Sequence, residues 1–312
     1  MESAMERVLQ KRIIDIIGLP IDLGADRRGV DMGPSALRIA GLVTKLEKMA
    51  YEVIDKGDIK INSIESQAIT NPKLKYLDEI VCASEKLAAE TESSLLEGHF
   101  PLCIGGDHSL SIGSIAGVSS YCQKKGKRLG VIWIDAHSDM NIEETTPSGN
   151  IHGMPMSTSL GLGNERLINI FNEGPKIKAE NCALVAIRSI DELEKELIRK
   201  MQLPVYTMTD IDRRGAGTII DEILTNLSTK TDHIHVSFDI DSLDPSVAMG
   251  VGTLVPGGLT YREAHLIMET IAEKGLMGSM DIAEINPILD HRNESAEIAV
   301  EIAASILGKR II

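Results

Sequence analysis

Short, continuous apolar runs recur along the whole chain and alternate with segments of helical periodicity. Strands that are apolar at consecutive positions, and not only at every second one, are typical of a parallel sheet covered by helices on both faces. The sequence therefore predicts a three-layer α/β/α fold with a mainly parallel central sheet and right-handed crossovers. We expect strands at 12–18, 100–104, 129–134, 182–187, 205–207, 233–238 and 278–285, and helices that include 191–201, 214–227, 261–274 and 295–307.

The chain offers no boundary at which it would divide into separate domains. Its 312 residues are enough for one domain or two, yet no stretch rich in proline, glycine and serine, no low-complexity tract and no internal repeat interrupts the alternation. We therefore expect a single domain over residues 1–312. No apolar run reaches the roughly 18 to 20 residues of a membrane span. Residues 1–7 carry acidic side chains where a secretory signal is basic, so we expect a cytoplasmic protein.

The charge balance limits the partners of the chain. The formal net charge is −14, and the 32 lysine and arginine residues are scattered without interleaved aromatic residues. This balance repels phosphate backbones, so we expect neither nucleic acid nor a membrane as a partner, and it suits a small cationic substrate. The four cysteines form no Cys-x-x-Cys pair, which favours buried free thiols over a disulfide framework or a zinc cluster.

Three polar clusters follow three of the predicted strands, at 105–108, 135–139 and 239–241. The carboxyl ends of parallel strands share one edge of a sheet, and residues two apart on an extended segment project to the same side. Buried carboxylates repel one another unless cations neutralise them. The clusters therefore predict a dinuclear metal site, which in hydrolases activates water. Its candidate ligands are His108, Asp135, His137, Asp139, Asp239 and Asp241.

The type of ligand constrains the metal. Four carboxylates with two imidazoles are a harder set than a structural zinc site and a softer one than an all-oxygen calcium or magnesium site. Two Mn²⁺ ions per chain fit best, while Co²⁺, Fe²⁺ and Zn²⁺ stay open. Asp107 is interpreted as a helix cap or as a support for the ligands. His233 and His235 begin their strand, so we place both outside the site.

Five motifs resemble the ureohydrolase family, and within it the bacterial arginases. They are Gly-Gly-Asp-His-Ser at 105–109, Asp-Ala-His-Ser-Asp-Met-Asn at 135–141, Ser-Gly-Asn-Ile-His-Gly-Met-Pro at 148–155, Ser-Phe-Asp-Ile-Asp-Ser-Leu-Asp-Pro at 237–245 and Gly-Gly-Leu-Thr-Tyr-Arg-Glu at 257–263. The likeness extends from 22–34 to 284–291 and so covers nearly the whole chain. It implies one arginase-like catalytic domain that hydrolyses the guanidinium of L-arginine to L-ornithine and urea, using a hydroxide that bridges two manganese ions. It also implies a homo-oligomer, a trimer or a hexamer.

The resemblance assigns roles to particular residues. It implies that one ion is bound by His108, Asp135, Asp139 and Asp239, and the other by Asp135, His137, Asp239 and Asp241. Asp139 matches the residue that relays the proton of the nucleophile, His152 matches the proton shuttle, and Glu284 matches the carboxylate that binds the guanidinium. The implied substrate contacts are Asn141, Ser148 and Asn150 for the α-carboxylate, Asp191 and Glu194 for the α-amino group, and Thr253 beside the substrate.

Three other functions are compatible with parts of this pattern. A ureohydrolase of agmatine or of another guanidino compound is favoured if the loop with Asn141, Ser148 and Asn150 binds no carboxylate. A mononuclear zinc deacetylase would not need the complete second ligand set, and a catalytically silent arginine-binding protein would bind without releasing urea. The chain departs from the family pattern at Ser189, where some members have aspartate, and at Met249 and Leu254, where proline is common.

Overall fold

The computed structural model describes residues 13–310, and within them eight strands form one sheet. The strands are β1 (Ile13–Leu19), β2 (Glu52–Asp58), β3 (Phe100–Gly105), β4 (Leu129–Ile134), β5 (Cys182–Ile187), β6 (Val205–Thr207), β7 (His233–Asp239) and β8 (Met277–Ala283). Their order in space is β2-β1-β3-β8-β7-β4-β5-β6, and every neighbouring pair is parallel. The predicted parallel sheet is confirmed.

Helices connect the strands. They are α1 (Gly33–Ile39), α2 (Leu42–Lys48), α3 (Leu77–Leu96), α4 (Leu110–Lys124), α5 (Pro155–Ser159), α6 (Glu165–Ile168), α7 (Glu192–Met201), α8 (Met208–Arg214), α9 (Ala216–Lys230), α10 (Tyr261–Lys274) and α11 (Glu294–Ile306). Short 3₁₀ helices lie at Val30–Met32, Ile64–Ser66, Ile151–Gly153, Ala179–Asn181 and Ile240–Ser242. Within residues 13–310, no helix is both long and apolar enough to cross a bilayer.

The core lies on both faces of the sheet because successive strand residues point to opposite sides. On β4, Ile132 and Ile134 belong to a core cluster that includes residues of α1, α2, α9, α10 and α11. Val131 and Trp133 point the other way, into a cluster that includes residues of α4 and α5. Every residue of β4 is buried, and the same is true of β3, β5 and β7. Two-sided burial explains why these strands are recognisable as continuous apolar runs.

Several boundaries differ from the prediction. The sequence did not predict β2, an edge strand that pairs only with β1 and is largely solvent-exposed, so it needs no apolar run. The predicted helix at 214–227 is confirmed as α9, but it begins at Ala216 and continues to Lys230, because Gly215 takes a φ of 81° and separates α8 from α9. β8 ends at Ala283 and not at 285, since Glu284 takes a φ of 68°. Cys82 is exposed, whereas the other three cysteines are buried as expected. Residue 12 and the acidic segment 1–7 lie outside the described residues.

The sheet order determines where functional groups meet. β3, β8, β7 and β4 are adjacent in the middle of the sheet, although they come from distant parts of the chain. Their carboxyl ends therefore lie next to one another at one edge. The three polar clusters and Glu284 directly follow these four ends.

Candidate active site

The first group of candidate metal ligands surrounds the His108 imidazole. Its Nδ1 atom lies 3.0 Å from Asp135 Oδ2, 3.0 Å from Asp239 Oδ2 and 3.4 Å from Asp139 Oδ2. All four side chains are buried. Ligand atoms of His108, Asp135 and Asp239 lie within 4.8 Å of one another, which is a spacing that one ion can bridge.

A second group shares Asp135 with the first. The Nδ1 atom of His137 lies 3.0 Å from Asp241 Oδ2 and 3.5 Å from Asp135 Oδ1. One ligand atom from each of these three residues lies within 4.8 Å of the others. The structure thus brings all six predicted ligands to one place and puts Asp135 between the two groups. It does not bring Asp239 into the second group at this distance.

Two observations test whether the groups fit cations. His108 Nδ1 is buried and makes no hydrogen bond, although three carboxylate oxygens surround it. Burial and the charges of Asp241 and Asp135 raise the pKa of Asp239 well above its usual range, and burial together with the charge of Asp135 does the same for Asp139. Positive charge at the centre would relieve this repulsion. The residues present therefore fit two divalent cations.

A hydroxyl beside His108 fixes which ring nitrogen faces the centre. Ser237 Oγ donates to Asp281, so it accepts from the Nε2 atom of His108, 2.8 Å away. This bond places the proton on Nε2 and leaves the Nδ1 lone pair for a metal. The ring also stacks on Trp133 at a centroid distance of 4.1 Å, and the indole of Trp133 donates to Asp135 Oδ2.

Sequence reasoning missed these supporting residues, although one signal was available. Ser237 has the same strand parity as Asp239 and Asp241, so it points toward the same face. His235 is outside the site, as predicted, and its Nε2 atom lies 3.0 Å from Asp281 Oδ2. His233 bonds to Ser279 further from the site. Asp281 is thus the centre of a buried polar network below the metal ligands.

A cavity of about 170 Å³ opens beside the two groups. Its walls include four of the six candidate ligands, His108, His137, Asp139 and Asp239, and all the predicted substrate-binding residues. The lining residues outside the metal ligands are Asn141, Thr146, Pro147, Ser148, Asn150, His152, Gly153, Ser189, Asp191, Glu194, Thr253 and Glu284.

His152 and Glu284 form an ion pair in this wall. His152 Nδ1 lies 2.9 Å from Glu284 Oε1, which also accepts from the backbone N–H of His108. Although burial opposes the charged imidazole, the bond to Glu284 raises the pKa of His152 to about 9. The other oxygen of Glu284, Oε2, is buried and has no hydrogen-bond partner. The pair therefore holds a proton at neutral pH and has one carboxylate oxygen free.

In the loop predicted to bind the α-carboxylate, some hydrogen-bond donors are already engaged within the protein. Asn141 Nδ2 donates to Asp191 Oδ2 at 3.1 Å, and Ser148 Oγ accepts from Asn150 N, which leaves the Ser148 hydroxyl hydrogen available. Asn150 Nδ2 donates to Ala25 O at 2.8 Å, and its Oδ1 atom is buried without a partner.

Two acidic residues act as supports in this geometry. Glu194 accepts from Ser138 Oγ and Met140 N through Oε1 and from Asp191 N through Oε2, so both its oxygens are engaged. Asp107 accepts from the backbone of Gly24 and Ala25 and from Ser109. Asp107 therefore anchors the neighbouring loop, in line with the supporting role predicted for it, and it does not cap the following helix, whose N-cap residue is Ser109.

The loop that departs from the family pattern is anchored near its middle. Thr253 Oγ1 donates to Asp241 Oδ2 at 2.8 Å, which ties the loop directly to a candidate metal ligand. The side chains of Met249 and Leu254 are about half exposed, at 48% and 49%. Neither departure lines the cavity, whereas Ser189 does.

Comparisons with known proteins agree with this geometry. Residues 12–308 match the model of the Arginase family. The arginase of Bacillus caldovelox is 48% identical over 300 residues, which are 96% of this chain and 99% of that protein. The crystal structure of arginase from Bacillus cereus superposes with a TM-score of 0.91 at 45% identity, over 96% of this chain and 100% of that one.

A more distant structure shows the same architecture. Arginase of Entamoeba histolytica, solved in complex with L-ornithine, superposes with a TM-score of 0.89 at 32% identity, over 96% of this chain and 100% of that one. The family match spans nearly all described residues, and relatives well above 30% identity are aligned almost end to end. The chain therefore belongs to the Arginase family.

Proposed function

We propose that this chain is an arginase, a hydrolase that converts L-arginine and water to L-ornithine and urea. One observation carries the proposal: a single cavity adjoins both groups of metal-ligand residues and, beside them, the unpartnered buried oxygen of Glu284. A buried carboxylate oxygen without a donor favours a cationic ligand with N–H groups, which a guanidinium provides. The arginase relatives act on a substrate of this kind.

Two divalent cations held by the six ligands would supply Lewis-acid activation of water near neutral pH. His108, Asp135, Asp139 and Asp239 are proposed to hold one ion. Asp135, His137, Asp239 and Asp241 are proposed to hold the other. We propose manganese for both. The buried Nδ1 atom of His108, which has no hydrogen-bond partner, supports the presence of a metal. The mixed set of carboxylate and imidazole ligands supports manganese.

The chain's own groups orient the substrate and move protons. Glu284 is proposed to bind the guanidinium through Oε2, which places the central carbon beside the ligand groups. Water oxygen bonds to that carbon, and Asp139 accepts a proton from the water. The bond from the carbon to the side-chain nitrogen of ornithine then breaks. The leaving nitrogen takes one proton from Asp139 and a second from His152, which is protonated at neutral pH. The hydroxyl on the carbon loses its proton as it becomes the carbonyl of urea, and this proton returns to His152.

Recognition of the amino-acid end is proposed to come from the outer wall of the cavity. Ser148 and Asn141 have donors available for the α-carboxylate, and Asp191 provides a carboxylate for the α-ammonium. Glu194 supports Asp191 through the bond to its backbone N–H. Thr253 lines the cavity beside Asp241 and is proposed to lie against the substrate. We further propose that residues 1–312 form one catalytic domain that works in the cytoplasm as a homo-oligomer, a trimer or a hexamer.

Hydrolysis of agmatine is the second candidate, and the orientation of one amide favours it. Asn150 donates one of its two amide hydrogens to Ala25, and its buried acceptor oxygen has no partner. That oxygen cannot bind a carboxylate, a group that agmatine lacks. The unpartnered oxygen suits a substrate without a carboxylate, whereas the second amide hydrogen of Asn150 suits one that has it.

Urea release after loading with Mn²⁺ separates these functions. We expect turnover of arginine to exceed that of agmatine and guanidinobutyrate strongly, because donors committed to a carboxylate discriminate against substrates that lack it. His108→Ala and Asp241→Ala serve as inactive controls. Release of urea from agmatine but not from arginine would replace the proposed substrate, and binding of arginine without urea release would show a non-catalytic protein.

A further inference from the structure

Arg188 has an unusual set of partners at the end of β5. Its half-buried guanidinium forms no ion pair with any carboxylate among residues 13–310 and donates instead to main-chain carbonyl oxygens. The two shortest bonds, both 2.7 Å, join Nη2 to Asp241 O and to Val255 O. The other acceptors are the carbonyls of Ala186, Ser242 and Leu243.

These carbonyls belong to the segments that carry the second ligand group. Asp241 provides a candidate metal ligand, and Val255 follows the loop in which Thr253 donates to Asp241 Oδ2. The backbone N–H of Arg188 itself donates to Ala136 O at 2.9 Å, between Asp135 and His137. One residue therefore joins all three chain segments around the group of Asp135, His137 and Asp241.

His108 and Asp239 have other direct supports. His108 is held through Ser237 at its ring and through Glu284 at its backbone N–H. The carbonyl of Asp239 accepts from Ser242 Oγ, and its Oδ1 accepts from Asp241 N. None of the bonds of Arg188 reaches His108 or Asp239. Arg188 therefore holds the second group directly, and it reaches Asp239 only through Asp241 and Ser242.

Local geometry explains how an arginine fits here. The pairing of β5 with β6 shifts register between Val185 and Ile187, where Ala186 takes a φ of 71°. Such an irregularity redirects the side chains that follow it. Gly258 allows the approach, because a Cβ atom there would lie 2.6 Å from Arg188 Nη2. A guanidinium offers five N–H donors in a planar fork, whereas lysine offers one small ammonium group.

We propose that Arg188 is a positioning residue for the second metal, and that it sets the affinity of the Asp135, His137 and Asp241 group without setting that of the His108 group. The guanidinium holds the turn at Asp241 and the loop of Thr253 in fixed positions relative to each other. In these positions the Asp241 carboxylate faces His137. The inference rests on the two-metal centre proposed above.

Manganese titration of metal-free protein tests the inference, with ion binding followed by the electron paramagnetic resonance signal of free Mn²⁺. We expect two ions in the wild type. In Arg188→Lys we expect one ion with unchanged affinity and a second that binds at least about tenfold more weakly, as is typical when a residue supporting a metal ligand is lost. Excess Mn²⁺ should restore kcat, and KM for arginine should stay unchanged.

Two further variants make the result specific. Arg188→Gln retains a planar donor without the charge. If only one of Arg188→Lys and Arg188→Gln folds, the metal titration of that variant tests the inference. Arg128→Lys is the matched control, since Arg128 also joins separate segments, through Asp232 and the carbonyl of Thr229, but at the opposite edge of the sheet. It should leave both ions unaffected.

The possible outcomes separate this inference from the function on which it rests. Native affinity for both ions in the Arg188 variants would overturn the inference alone, and so would parallel weakening of both ions. A wild type that binds a single ion would overturn the two-metal centre and the inference with it.

Discussion

At the scale of single residues, the pair formed by His152 and Glu284 combines structure with chemistry. One carboxylate oxygen of Glu284 accepts the hydrogen bond from His152, and the other oxygen is buried without a donor. The same bond holds the imidazole in its charged form, because it raises the pKa of His152 to about 9. A proton donor and a cation-binding oxygen are thus set in place together, before any substrate arrives.

The pair predicts how stability depends on pH in the metal-free protein. The pKa of His152 is raised from an ordinary value of about 6.5 to about 9. Its contribution to stability is therefore complete below the lower value and is lost as the pH rises through the higher one. We expect His152→Asn to lower the free energy of unfolding more at about pH 6 than at about pH 9.5, measured by urea denaturation. His291→Asn, at an exposed pair with Glu294, is the control, and an equal loss at both pH values would contradict the prediction.

The free oxygen of Glu284 predicts a loss of catalysis without a loss of fold. Glu284→Gln retains the shape but removes the charge that faces the guanidinium, so we expect kcat/KM for arginine to fall by the equivalent of about 2–5 kcal/mol. Steady-state urea release measures this change. Glu297→Gln, at an exposed position of α11, should behave as the wild type. A Glu284→Gln enzyme with full activity would remove Glu284 from the proposed mechanism.

At the scale of elements, burial decides what the sequence could predict. Strands covered on both faces, such as β4 and β7, must be apolar throughout, and their bounds follow from that pattern. α10 matches its prediction because Thr260 and Glu263 form a capping box at its start and Gly275 ends it. The edge strand β2 has one neighbour and an exposed charged sequence, so no local pattern distinguishes it from a loop.

The candidate site, like the secondary structure, was predictable only where local sequence determines it. Spacing after the strands identified His108, Asp135 and Asp241, because parity and strand ends are local properties. Contacts between distant segments were not predictable. The bonds of Arg188 to Asp241 and Val255 depend on how separate loops pack, and nothing in the neighbouring sequence indicates them. The positive φ of Glu284 is likewise set by its tertiary contacts.

The loop of Ser148 and Asn150 yields a prediction at this scale. Gly149 takes a φ of 76°, and a Cβ atom there would lie 1.8 Å from Pro72 O. Gly149→Ala should therefore displace the loop and lower kcat/KM for arginine by roughly 10- to 100-fold, as small misplacements of binding groups do, while both metals still bind. Gly126→Ala shares the positive φ but has nothing within 4 Å, so it tests backbone strain alone. Equal kinetics in the two variants would mean that the loop does not position the substrate.

At the scale of the whole molecule, the proposed centre connects four strands and carries repelling acids. Removal of metal should therefore lower the melting temperature. Ions at about 100 times their dissociation constant would stabilise the fold by about 2.7 kcal/mol per site. Calorimetry before and after chelation measures the shift, and added Mn²⁺ should reverse it. In His108→Ala, which lacks one metal ligand, chelation should lower the melting temperature by a smaller amount. If chelation leaves the melting temperature unchanged, metal binding does not stabilise the fold.

The order of strands in the sheet also constrains how the molecule is assembled. β7 and β8 are the last two strands in the chain, yet they occupy the middle of the sheet, between β3 and β4. The strands made earlier in synthesis therefore belong to two groups, β2-β1-β3 and β4-β5-β6, that are not adjacent in the finished sheet, and neither group contains a complete site. The last quarter of the chain, from β7 onward, fills that gap and brings Asp239, Asp241 and Glu284 to the other ligands. We therefore expect a chain truncated before β7 to expose unpaired strand edges and to lack activity.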